Sequence, residues 1–197
     1  RPFHWLVYDP NIGTSDAVGP STPTKLGAKT PPQGVTFARD FTIEHANSEI
    51  VGIHASKSAN RFEALEPVRQ GVRRCFGAIA PGVAQGLKLR HDHGSNYMSG
   101  DFQAEIKCLG IAASPSFVRE PEGNGVAERF IRTLKENLLW VRSFNTIEEL
   151  RVALIAFARR YNETWLVERH GYQTPAQVRL AQLRVANPNI GELSLTA

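Results

Sequence analysis

Across residues 87–138, short apolar runs alternate with helical periods, and this alternation constrains the fold more than any other feature of the chain. Residues 87–92 read as a short strand running into the polar turn Asp92-His93-Gly94-Ser95-Asn96. Phe102, Ile106 and Leu109 recur at helical spacing, with Gly110 placed to close the helix. Residues 111–114 form a further short strand, and residues 121–144 a long helix or a loop feeding one. Upstream, residues 35–43 alternate apolar and polar, Ala46-Asn47-Ser48-Glu49 supplies a turn, and residues 50–54 return, which predicts a hairpin. Phe62, Leu65, Val68, Val72 and Phe76 predict a helix over 63–76, with Pro67 obscuring its start. Thr146 with Glu149 makes a capping box for a last helix running to about Tyr161. Strands first, then strand–helix alternation, then helices: this order predicts an α/β layer, a mixed sheet flanked by helices.

Composition sets the boundaries. A chain of 197 residues, 42% hydrophobic, is long enough for one sizeable domain with appendages. Residues 1–34 read as an irregular Pro-rich segment, residues 35–165 as the core and residues 166–197 as a C-terminal extension. No run of 18 apolar residues predicts a membrane span, and the first residues lack the layout of a signal peptide. Met98 is the only methionine, so the chain reads as part of something longer. Cys75 and Cys108 sit in helix-like apolar contexts and read as reduced core thiols of a cytosolic protein. The net charge of +4 is spread evenly and fits a polyanion partner no better than a mildly basic surface.

Two acids stand out. Asp92 closes a strand, Glu128 opens a helix, and thirty-five residues separate them. Acids so presented can share a divalent metal, and such metals serve phosphoryl transfer. In the helix after Asn124, Ala127, Ile131, Leu134 and Leu138 share one face for packing. Glu128, Arg132 and Lys135 share the neighbouring face, where the cations can reach nucleic-acid phosphates. The competing reading is a solvated face with an i, i+4 ion pair, and for Asp92 a residue serving only its turn. His91 and His93 point away from Asp92 on an extended segment and lack further ligands, which excludes a structural zinc site. No Gly-rich loop with its lysine marks a nucleoside triphosphatase, and no elbow motif surrounds Ser95.

Taken together, Asp92-His-Gly-Ser-Asn-Tyr, Gly110-Ile111, Asn124-Gly-Val-Ala-Glu128-Arg-Phe-Ile-Arg-Thr-Leu-Lys135, Tyr161-Asn162 and Thr174-Pro175 resemble the catalytic core of retroviral-type integrases and bacterial insertion-sequence transposases. The resemblance spans about residues 41–180. It implies an RNase H-like fold and a D, D-35-E triad holding Mg²⁺ or Mn²⁺, with Asp92 and Glu128 as its second and third members. It also implies Arg132, Lys135 and Asn96 as DNA contacts, and metal-dependent strand cleavage and strand transfer on transposon ends and target DNA. Expected partners are further copies of the chain on DNA and a separate helix-turn-helix subunit, in the cytoplasm of a bacterium and on its nucleoid. The family's first aspartate stands on the first strand in a Trp-x-x-Asp-x-Thr-like segment. Here the nearest partial match is Gly13-Thr14-Ser15-Asp16, and residues 1–34 read as frameshifted or decayed, which makes a catalytically inactive nucleic-acid-binding module the alternative. Asp40, on the second strand, is the poorer candidate.

Overall fold

The computed structural model describes residues 4–8, 38–58, 60–91, 94–115 and 125–186. Five strands form one mixed sheet in the order β3-β2-β1-β4-β5. They are β1 (His4–Tyr8), β2 (Ala38–Glu44), β3 (Ile50–Ser56), β4 (Lys88–His91) and β5 (Ala112–Pro115). The β2–β3 hairpin forms as its alternation predicts and pairs antiparallel. β1 pairs antiparallel with β2 and parallel with β4, and β4 pairs parallel with β5. Hence β2 is paired on both sides.

The central strand corrects the sequence reading. Residues 1–34 were expected to be irregular, yet His4-Trp-Leu-Val-Tyr8 fills the middle of the sheet. Its run Trp5-Leu6-Val7-Tyr8 lacks alternation and is too short to carry a periodic signal. Trp5 anchors it, 1% exposed. Asp16 lies outside the described residues, as do the rest of the Pro-rich segment and residues 187–197.

Helices cover both faces. On one side α1 (Arg61–Phe76) and α2 (Gly100–Cys108) enclose Trp5, Val51, Leu65, Val68, Val72, Leu89, Tyr97, Phe102 and Ile106. On the other, α3 (Gly125–Leu134) and α4 (Ile147–Thr164) enclose Phe41, Ile43, Ile53, Phe130, Leu134, Leu154 and Phe157. Asn60 caps α1, its side chain accepting from the amides of Phe62 and Glu63 at 3.0 Å each, so the helix starts ahead of Pro67. Pro67 stays inside the helix, and its carbonyl abuts β3 at Gly52. A Cβ on Gly52 would stand 2.0 Å from that oxygen. Phe62, one of the residues whose spacing marks the helix, is exposed. Of the two free cysteines, Cys75 is half-buried, with burial pushing its thiol up in pKa, whereas Cys108 is exposed and not a core thiol.

Two helical features were not anticipated. After α3 the chain continues as a π-helical segment, Lys135–Leu139, closed by the Trp140 amide on the Lys135 carbonyl at 2.9 Å. A further helix, α5 (Pro175–Ala186), follows a 3₁₀ turn at Glu168–His170 and docks against the hairpin turn. There Glu49, 2% exposed, receives Arg74 of α1 at 2.5 Å and Arg179 of α5 at 2.7 Å. Asn47 donates to Gln182 at 3.1 Å. The outer edge of β3 is occupied by side chains. Asn162 of α4 pairs with both the amide and the carbonyl of Ile50 at 2.9 Å, Gln70 accepts from the Ile53 amide, and Arg151 donates to the Ala55 carbonyl. No helix among the described residues is long and apolar enough to cross a membrane.

Candidate active site

The parallel pairing of β1 with β4 aligns their C-terminal ends at one edge of the sheet. Leu6 pairs with Arg90, β1 ends at Tyr8 and β4 at His91. Asp9 and Asp92 are the residues that follow these two strand ends in sequence, and both lie outside the described residues. His91 is buried, its ring 5.8 Å from Tyr97 and 6.0 Å from Phe102, on the α1–α2 side.

Glu128 enters from above. It sits in the first turn of α3 and is exposed, while Ala127, Phe130, Ile131, Leu134 and Leu138 are buried as the amphipathic pattern requires. Phe130 packs edge-on against Phe41 at 4.8 Å, and Phe41 pairs in register with Tyr8, the last residue of β1. The helix that carries Glu128 is thereby seated near the C-terminal end of β1. Its carboxylate has no ion-pair partner among the described residues. No cluster of three metal-ligating side chains is found among them either.

The predicted DNA contacts divide. Arg132 is exposed and its Nε donates to Glu136 Oε1 at 2.9 Å, an i, i+4 pair. Lys135 is half-buried, opens the π-helical segment and has no acidic partner among the described residues. Asn96 is half-buried in the turn after β4, where its carbonyl accepts from Ser99 Oγ at 2.7 Å.

Asp40, the poorer candidate for the first acid, has a partner that sequence reasoning missed. Asp40, 3% exposed, accepts from Tyr97 Oη at 3.2 Å. Phe41 and Ile43 face α3 and α4, so by alternation Asp40 faces the α1–α2 side, where Tyr97 lies. It is on the opposite face from Glu128. Nothing in a strand pattern announces a buried acid paired with a tyrosine 57 positions away.

The remaining motif residues have structural work. Tyr161 packs on Phe130 at 5.1 Å, and burial raises its hydroxyl to about 12. Asn162 holds the edge of β3. Thr174 caps α5 reciprocally with Gln177.

Comparison with known proteins places these features in context. Residues 109–175 match the integrase core domain family. The chain is 27% identical over 146 residues to a putative transposase InsD for insertion element IS2E of Escherichia coli K12, covering 73% of this chain and 63% of that protein. It has the same 27% identity to the transposase InsD for insertion element IS2A/D/F/H/I/K of Escherichia coli, of which it spans 46%. The chain therefore spans about half to two thirds of the length of these relatives. In structure it resembles the catalytic core domain of BIV integrase, with TM-score 0.63 and 15% identity over 94% of this chain and 99% of that one. It also resembles the HTLV-2 integrase catalytic core domain in complex with magnesium, in a trimeric form, with TM-score 0.57 and 13% identity over 89% and 95%.

Proposed function

We propose that this chain, a relative of the insertion-sequence transposases built on the RNase H-like fold of the retroviral integrase cores, cleaves and joins DNA strands with divalent metal ions. The observation that supports the reading is the parallel β1–β4 pair, whose C-terminal ends, the residues just before Asp9 and Asp92 in sequence, lie side by side, with the helix of Glu128 packed near the end of β1.

The donor chemistry fits Mg²⁺ or Mn²⁺. Carboxylates are hard oxygen ligands, and Glu128 is exposed and not committed to a cation among the described residues. Asp92 and Glu128 would hold the metal, together with an acid from the segment after β1. Asp16 is the candidate from the sequence pattern, and Asp9 follows the observed strand directly. When bound, such ions activate a water or 3′-hydroxyl on one side of a phosphodiester and stabilise the leaving oxygen on the other. Arg132 and Lys135, one and two turns beyond Glu128, would bind backbone phosphates and fix the strand across the acids. Asn96 would contact DNA from the turn after β4. End recognition falls to a separate helix-turn-helix subunit, and the chain works as a homo-oligomer on DNA, in the bacterial cytoplasm and on the nucleoid.

Nicking and joining of supercoiled plasmid by the chain with Mn²⁺ tests this. Asp92→Asn and Glu128→Gln should each lose at least ~100-fold in rate while still binding DNA. Asp9→Asn and Asp16→Asn, compared side by side, identify the first acid by which one matches that loss. An active Glu128→Gln protein refutes the assignment, and DNA binding without nicking in any metal supports the inactive module instead.

A further inference from the structure

We propose that Arg129, Arg169 and the Tyr161 hydroxyl form a phosphate site, and that its ligand is a backbone phosphate of the DNA strand passing α3. This rests on the DNA-cleaving reading above and extends it to three residues that have no DNA contact in that reading.

Three elements converge there. Arg129 follows Glu128 in α3, Arg169 belongs to the 3₁₀ turn Glu168–His170, and Tyr161 lies in the last turn of α4. The Tyr161 ring packs edge-on against Phe130 at 5.1 Å, and Arg129 Nη1 lies 3.9 Å from Glu168 Oε2. Arg169 is fixed from its far side. Its Nη2 donates to the His45 carbonyl of the hairpin turn, and its Nε donates to His170 Nε2 at 3.2 Å. Its Nη1 has no partner among the described residues.

The hydroxyl is what points to a ligand. Tyr161 is 5% exposed, and Trp165 stacks on it at 6.0 Å. Yet its Oη has no hydrogen-bond partner among the described residues, although buried hydroxyls are as a rule paired. The charges of Arg169 and Arg129 both act on that hydroxyl, and Arg129 acts on Arg169 as a like charge. Burial keeps the hydroxyl protonated, so it can donate. Two guanidinium groups and one donor suit a phosphate, whose oxygens can accept from all three. Glu168 competes weakly: its side chain is 70% exposed, that of Arg129 is 64% exposed, and 3.9 Å is too long for a hydrogen bond. Arg129 adjoins Glu128 on α3, so a DNA strand presented to that acid passes these cations.

The test is binding of a short fluorescent DNA duplex by the full chain, read by anisotropy across a salt series, with thermal melts of each variant. Tyr161→Phe keeps the ring packing and removes only the hydroxyl. It should keep the parental Tm, since no protein partner is lost, and weaken DNA binding about tenfold. Arg129→Ala should weaken binding by a similar factor. Arg129→Ala with Arg169→Ala should lower the slope of log affinity against log salt by ~0.9, one phosphate, and not by twice that. Glu168→Gln should tighten binding. If variants at Arg169 fail to melt cooperatively, having lost the tie to the hairpin turn, Tyr161→Phe and Arg129→Ala decide. Parental affinity in both, with Arg132→Ala weakened, overturns the site and leaves the DNA reading standing. A parent chain that binds no DNA overturns both. Inorganic phosphate that raises the Tm of the parent but not of Arg129→Ala, with DNA affinity unchanged in every variant, overturns the DNA assignment in favour of free phosphate.

Discussion

Replacing Glu49 with glutamine should loosen the C-terminal helix from the core. The carboxylate is buried and takes two guanidinium groups, Arg74 at 2.5 Å and Arg179 at 2.7 Å. Charge-assisted bonds of this kind contribute ~1.5–3 kcal/mol each in a buried setting. The Arg74 side chain is 48% exposed, so water recovers most of its loss and its share falls well below 1 kcal/mol. The Arg179 side chain is 26% exposed and keeps the larger share. Glutamine still accepts one hydrogen bond, which leaves a net cost of about 2 kcal/mol. For a domain of this size that is a fall in Tm of ~4–8 °C. Thermal melts give the total, and limited proteolysis within residues 166–186 shows whether α5 is the part released. Arg179→Ala should cost a similar amount, and Glu49→Gln with Arg179→Ala together should cost little more than either alone. A Glu49→Gln protein melting within about 1 °C of the parent, or fully additive losses, would refute the reasoning.

Three other outcomes follow from particular contacts. Gly52→Ala drives a methyl to 2.0 Å from the Pro67 carbonyl, so α1 must lift from β3, and the variant should lose about 3 kcal/mol in urea unfolding. His170 is held below its ordinary pKa of 6.5 by burial first and then by Arg169; its Nε2 accepts from Arg169 Nε at 3.2 Å, with Ser48 Oγ equally near. The unfolded chain takes up that proton more readily, so this contribution to stability is present above about pH 6.5 and declines as pH falls toward the lower folded pKa. His170→Gln should flatten the Tm profile just below about pH 6.5 relative to the parent. Arg132→Ala and Lys135→Ala should each lower the slope of log affinity for DNA against log salt by ~0.9, and an unchanged slope would mean that Arg132 serves only Glu136.

What could be read in advance was what carries a period. The β2–β3 hairpin alternates cleanly, and Ala127, Ile131, Leu134 and Leu138 mark a helix face that is buried in full. Glu128 was placed on the first turn of its helix for the same reason. β1 escaped because the short run Trp5-Leu6-Val7-Tyr8 is equally at home in a strand or a collapsed loop, and only the unpaired flanks of β2 and β4 demand it. α5 escaped because its apolar residues are scattered around the helix, so no stripe stands out; Thr174 with Gln177 was the available start signal. The π-helical segment changes a hydrogen-bond register without changing residue types, which pattern reading does not detect. Asp40 and Glu49 were invisible as buried acids because their partners, Tyr97, Arg74 and Arg179, come from distant elements.

The occupied edge of β3 limits how copies of this chain can meet. An open edge strand templates pairing with a second sheet. Here a visiting strand would have to evict Asn162 from both polar groups of Ile50, Gln70 from Ile53 and Arg151 from Ala55 before gaining its first ladder bond. Those three side chains belong to α1 and α4, whose inner faces are committed to the core, so yielding the edge means disturbing both helical layers. Growth by strand addition on that side is closed off, and a partner approaching there meets a finished polar seam instead of a template.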